Sequence, residues 1–175
     1  MNLIHYTAVV EDGAHIGSGV RVWHFAHVRA GATIGDQTQL GKSCYVDSGA
    51  VIGARCKIQN FVSVYAGVTL EDEVFVGPSV VFTNDLHPRA VGAWRLETTI
   101  VRRGASLGAN ATILCGIEIG AYAMVAAGSV VNRDVGAHEL VAGVPARKVG
   151  YVCICGRRVG RPTDSCLHAV EVGSP

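Results

Sequence analysis

Charge is scarce in this 175-residue chain: Asp, Glu, Lys and Arg make up 17% of it, and 15 basic residues nearly balance 14 acidic ones. No strong field of either sign is available to hold nucleic acid or an anionic membrane. Aromatic side chains are few, at 6%, so a core has to be filled by aliphatic and small residues. No apolar run approaches the roughly 18 residues of a membrane span. The opening MNLIHYTAVVEDG lacks a basic stretch followed by an apolar one, so no secretory signal is expected. Glycine, in contrast, is abundant at 22 residues, which points to many tight turns. The six cysteines do not read as a disulfide framework, because Cys44 and Cys56 occupy slots otherwise held by small core residues. Reduced thiols in the cytoplasm are expected.

A six-residue period organises the chain. Stepping by six from Ile4 meets Val10, Ile16, Val22, Val28, Ile34, Leu40, Val46, Ile52, Ile58, Val64, Leu70, Val76 and finally Phe82. Four residues after these positions stand small or β-branched side chains, from Ala8, Ala14 and Val20 through Thr38, Cys44 and Cys56 to Val80. The series breaks and resumes with Val101, Leu107, Ile113, Ile119, Val125 and Val131. Each hexad is a short strand and a corner, and three hexads make a triangular coil. Coils then stack about 4.8 Å apart through ladder hydrogen bonds, each burying its faces against its neighbours. Twenty hexads predict six to seven coils of an all-β parallel β-helix over 1–136, followed by a closing segment and a cysteine-containing tail over 137–175. A β-sandwich, with strands of uneven length, would not hold this register.

Two segments leave the pattern. Val101 lies nineteen positions after Phe82, which is not a multiple of six, so the stretch 83–100 (TNDLHPRAVGAWRLETTI) must be extruded as a loop. Its polar and aromatic residues differ from the surrounding wall, and long loops on compact scaffolds often carry function. The tail contains Cys153, Cys155, Cys166 and His168, donors that suit zinc. The Cys-x-Cys start is tighter than the usual two-residue spacer, so free thiols are the favoured reading.

Four stretches carry a family resemblance: VWHFAHV (22–28), CKIQNFVSVYAGVTLEDEVFVGPSVVFTND (56–85), GASLGANATILCGIEIGAYAMVAAGSVVNRDV (104–135) and LVAGVPARKVG (140–150). The chain resembles the hexapeptide-repeat acyltransferases, and among them the UDP-sugar 3-N-acetyltransferases. The resemblance implies a left-handed helix, against the usual crossover handedness. It also implies acetyl-CoA as co-substrate and no metal requirement in catalysis. The implied acceptor is UDP-2-acetamido-3-amino-2,3-dideoxy-glucuronic acid, on the route to bacterial surface polysaccharides such as lipopolysaccharide O-antigen. Family members are cytoplasmic homotrimers with sites at subunit interfaces.

The resemblance implies that Asn84 is the catalytic residue, its carboxamide accepting a hydrogen bond from the acceptor amine. His24 and His27 are rivals for a general base, with His24 ranked as a substrate contact and His87 on the loop left open. Arg29, Lys57, Arg89 and Arg103 supply cations for a diphosphate and a carboxylate. Gln59, Asn60 and Tyr65 are candidates for bonds to sugar or base, although Phe61 stands where relatives often have a polar residue. Gly108, Ala109, Ala126 and Ala127 are expected along the pantetheine arm, with Arg147 and Lys148 at the CoA phosphates. Other readings remain: a dTDP-3-amino-hexose N-acetyltransferase, a γ-type carbonic anhydrase with zinc on three histidines, or a β-helical scaffold.

Overall fold

The computed structural model describes residues 1–163 and Cys166. Its described residues form strands and turns with no helix, wound as the expected β-helix of hexapeptide repeats. Each of the first six coils lays one two- or three-residue strand on each of three parallel sheets. The first face begins with Leu3–Ile4, the second with Val9–Val10 and the third with His15–Ile16. Partners on a face lie one coil apart, as in Leu3 with Arg21 and Lys57 with Phe75, an offset of 18 residues. Glu139–Gly143 stacks in parallel on Met124–Val125 and gives the first face an eighth rung, beyond the six to seven coils counted from hexads. The chain then reverses, and Ala146–Val152 and Arg158–Val159 extend that sheet antiparallel.

The aliphatic series fills the interior as its period requires. Ile34, Leu40, Ile52, Ile58, Leu70, Leu107, Ile113 and Ile119 are buried, and the small series from Val20 to Ala123 packs between them. Each large side chain contributes about 2 kcal/mol by leaving water. Ile4 is in phase but remains 45% exposed, because no coil stacks beneath it. Polar members of the small series keep partners: the Thr38 hydroxyl donates to Gly53 O at 2.7 Å and accepts from Cys56 N at 3.0 Å.

Most corners turn through a left-handed residue. Between the second and third faces it is glycine, at Gly13, Gly31, Gly49, Gly67 and Gly116. At the other two corners larger residues take that conformation, including Phe25, Arg55, Phe61, Glu73 and Tyr122. A second kind of glycine is imposed by stacking: a Cβ on Gly35 would sit 2.5 Å from Ala54 N. Along the third-to-first corner, side chains from successive coils pair as Arg55–Glu73–Arg103 and Glu71–Arg102–Glu118, with contacts of 2.7–2.9 Å.

Candidate active site

The extruded loop leaves the second face after Val81–Phe82, and the third face resumes at Thr99–Val101, so the excursion covers 83–98 rather than 83–100. Leu70 pairs with Val101, an offset of 31 rather than 18, so thirteen residues are inserted into one corner. The base of the loop is tied down: Glu97 N donates to Asn84 O at 3.0 Å, and Cys115 N donates to Thr83 Oγ1 at 2.9 Å. Leu96 rests against Gly67 of the coil before, where a Cβ would come within 2.9 Å of its methyl. Beyond this base Leu86, Val91, Trp94 and Leu96 are exposed.

Asn84 is half-buried at the foot of this loop, and among the described residues its carboxamide makes no hydrogen bond. Asp85 folds the next turn by accepting from His87 N at 2.8 Å. His87 and Arg89 are exposed, and the Arg89 guanidinium donates to Pro88 O at 2.8 Å.

Below the loop, on the N-terminal coils, sequence reasoning missed a connected polar column. His27 meets Glu11 at 2.7 Å, Arg29 meets Asp47 at 3.0 Å, and Tyr45 donates to Asp47 at 3.0 Å. Tyr65 continues the column, its ring 6.0 Å from that of Tyr45. The Ala30 N–H and His27 hold the Glu11 carboxyl below its usual range. Burial works against the Asp47 carboxylate, yet the Ser48 N–H, Tyr45, the Ala66 N–H and Arg29 together bring it below its ordinary value. Glu11, Arg29, Asp47 and Tyr65 are spaced by 18 residues, so stepping by a whole coil instead of a hexad reveals the column.

Across the second face, the first-to-second corner holds the proposed cofactor residues. Gly108 is forced by stacking, since a Cβ there would lie 2.4 Å from Ala127 N. Earlier in this corner Lys42 N is capped by Asn60 Oδ1 of the next coil at 2.8 Å. Ala109 and Ala127 have Ala127 and Gly143 one coil on, which offer no side-chain oxygen, so both N–H groups lack an acceptor among the described residues. Two bare donors, one coil apart, suit the amide carbonyls of an extended pantetheine arm.

The remaining candidates divide. Asn60 does for its turn what Asp36 and Asp72 do for theirs, capping the N–H groups of Ser18 and Ala54, so its carboxamide oxygen is already used. Phe61 is the left-handed residue of that turn, 56% exposed, with Lys42 Nζ 5.9 Å from its ring centre. Gln59 is half-buried beside it, and Lys57 stands exposed on the first face. His24 stacks on His5 with ring centres 3.5 Å apart, near the N-terminal end. Arg103 lies at the third-to-first corner, held by two bonds to Glu73. Lys148 pairs with Glu139 at 2.7 Å and with Tyr151, while Arg147 is exposed on the closing hairpin. His168 lies outside the described residues.

Residues 31–64 and 49–84 match the bacterial transferase hexapeptide (six repeats), and residues 100–133 match the hexapeptide repeat of succinyl-transferase. A dTDP-3-amino-3,6-dideoxy-alpha-D-galactopyranose 3-N-acetyltransferase of Aneurinibacillus thermoaerophilus is 60% identical over 57 residues, 33% of this chain and 30% of that one. Serine acetyltransferase 4 of Arabidopsis thaliana is 49% identical over 70 residues, 40% of this chain and 17% of the relative. These matches span less than a third of either relative's length. The acetyltransferase domain of PglB from Neisseria gonorrhoeae, solved with acetyl coenzyme A, shares the fold at TM-score 0.59 and 21% identity, over 85% of this chain and 57% of that one.

Proposed function

We propose, from the premise that the chain belongs to the bacterial transferase hexapeptide-repeat family, that it is an acetyl-CoA-dependent N-acetyltransferase. Its acceptor is the 3-amino group of a nucleotide-linked amino sugar, with UDP-2-acetamido-3-amino-2,3-dideoxy-glucuronic acid as the first candidate. The observation that carries this reading is the unspent, half-buried Asn84 carboxamide at the foot of a clamped loop.

Acetyl transfer needs a neutral amine, close approach to the thioester carbon and a stabilised oxyanion. A sugar amine flanked by electron-withdrawing groups resembles an α-amino group, with a pKa of about 8, so part of it is neutral near pH 7. The Asn84 carboxamide oxygen accepts one N–H and aims the nitrogen lone pair at the carbonyl carbon. The C–N bond forms, the tetrahedral intermediate collapses with loss of the C–S bond, and the departing thiolate takes the amine proton. No basic side chain is required. His27, oriented by Glu11, sits three coils from the loop, about 14 Å along the axis, too far to share a reacting atom with Asn84.

Asn84 and the bare N–H groups of Ala109 and Ala127 occupy different corners of one chain, separated by the width of the second face. They work on one substrate only if copies of the chain pack side by side, which supports a site between subunits of a homotrimer. The exposed Trp94 and Val91 of the loop supply apolar surface for that packing.

A dTDP-linked acceptor is the second reading, favoured by the 60% identity to a dTDP-amino-sugar acetyltransferase over 57 residues. Free-thiol release from acetyl-CoA, assayed with UDP- and dTDP-linked 3-amino sugars and with serine as a hydroxyl control, separates the readings. Turnover with an amino sugar and none with serine is expected. Asn84→Ala should lower kcat at least tenfold, about 1.4 kcal/mol, with little change in KM for acetyl-CoA. Retention of activity within about twofold, roughly 0.4 kcal/mol, would remove Asn84 from the mechanism.

A further inference from the structure

Beyond the last coil, the two thiols of a Cys-x-Cys pair converge with a third from further along the tail. The Sγ atoms of Cys153, Cys155 and Cys166 all lie within 4.8 Å of one another, and none of the three is in a disulfide. Zinc bound to thiolates at about 2.3 Å in a tetrahedron sets S···S distances of about 3.8 Å. Closing the observed triangle onto an ion therefore asks for side-chain adjustment only.

The backbone explains how a Cys-x-Cys pair, tighter than the usual spacer, presents both sulfurs on one side. Cys153 N donates to Arg157 O at 2.9 Å, and Gly156 N returns to Cys153 O at 2.8 Å. Gly156 takes φ +83, which completes a tight knuckle between the paired strands Ala146–Val152 and Arg158–Val159. Cys153 is buried, Cys155 is exposed, and Cys166 reaches them from eleven residues beyond Cys155. Underneath, the knuckle faces Gly104, Tyr122 and Met124 of the final coils, with Gly156 close against Met124.

We propose that Cys153, Cys155 and Cys166 are three corners of a structural zinc site that pins the tail over the closing end of the β-helix. Soft thiolates in this number select zinc over hard cations. Each thiol gives up its proton on binding, so affinity rises with pH. The fourth donor is open, and the sequence offers His168 two residues after Cys166. The site lies on the third-to-first corner and first face, away from the loop corner that carries Asn84, so its role is mechanical and does not depend on the proposed acetyl transfer. A solenoid needs a cap over its last coil, and a metal crosslink lets a short tail with little core of its own provide one.

Full-length protein from zinc-supplemented cells, desalted without chelator, should carry about one zinc per chain by elemental analysis. Cys155→Ser and Cys166→Ser should each reduce this at least tenfold, while Cys44→Ala, which empties a thiol outside the cluster, should leave it unchanged. Cobalt(II) titrated into zinc-free protein should give an intense thiolate-to-cobalt band and tetrahedral d–d absorption, both lost in Cys166→Ser. Retention of the wild-type circular dichroism spectrum by Cys155→Ser, whose changed side chain is exposed, confirms that metal loss is local. Absence of stoichiometric zinc together with absence of the cobalt spectrum would overturn the proposal, as would undiminished zinc in the Cys155→Ser/Cys166→Ser double variant.

Discussion

Stacked coils impose two different demands on glycine, and single substitutions tell them apart. At Gly35 the next coil approaches so closely that a Cβ would lie 2.5 Å from Ala54 N and Gly53 C, and backbone cannot yield as a side-chain tip can. Gly35→Ala should cost about 1–3 kcal/mol, read from the urea midpoint. At Gly49 nothing lies within 4 Å, and only its φ of +76 resists a side chain, so Gly49→Ala should cost about 1 kcal/mol. Equal effects at the two positions would show that coil spacing at the Gly35 corner is slack. The same packing decides cysteine chemistry. Burial pushes the Cys44 thiol up to about 11, and its Sγ donates to Gln59 O at 3.0 Å. It behaves as a small apolar residue, as the hexad slot implied.

At the level of elements, charge is arranged in columns rather than scattered pairs. Glu73 is held low first by Arg103 and then by Arg55, and Glu118 by Arg102. Glu11 and Asp47 are likewise depressed on the second-to-third corner. A carboxyl whose folded pKa lies below its unfolded value of about 4 contributes stability fully above that value and loses it as pH falls through the lower one. The melting temperature should therefore be flat from pH 7 to about 5 and fall steeply below about pH 4. These side chains remain partly exposed to water, so each pair contributes little and the signal is the summed column. A melting temperature independent of pH down to about 3 would show the columns to be energetically idle. Hexad counting could not reveal them, because it asks which residues face inward. The 18-residue coil decides which outward residues stand above one another, as Asn60 shows by capping Lys42.

For the whole molecule, the decisive question is assembly. One chain displays Asn84 at one edge of the second face and the uncapped Ala109 and Ala127 at the other, with Val91 89% and Trp94 60% exposed on the loop. In the proposed trimer these edges would meet and that apolar surface would be covered. Light scattering behind size exclusion should report about three times the 18.3 kDa chain mass at micromolar concentration. A monomer that still turns over amino sugars would sink the interface placement.

The order of side chains alone determined the prism, its core and the point of extrusion, because a six-residue alternation of aliphatic and small residues buries itself in only one register. Val22 through Val125 and the break after Phe82 were legible for that reason. Tertiary structure alone decided which outward groups meet. It joined Arg29 to Asp47 and Arg103 to Glu73, left Asn84 unspent, and carried Cys166 to Cys153 and Cys155 despite a spacing that favoured free thiols. The physical reason is that burial is read along the strand, one residue at a time, whereas hydrogen bonds and ligand sets form between coils and beyond the last of them. There the distance in sequence no longer measures distance in space.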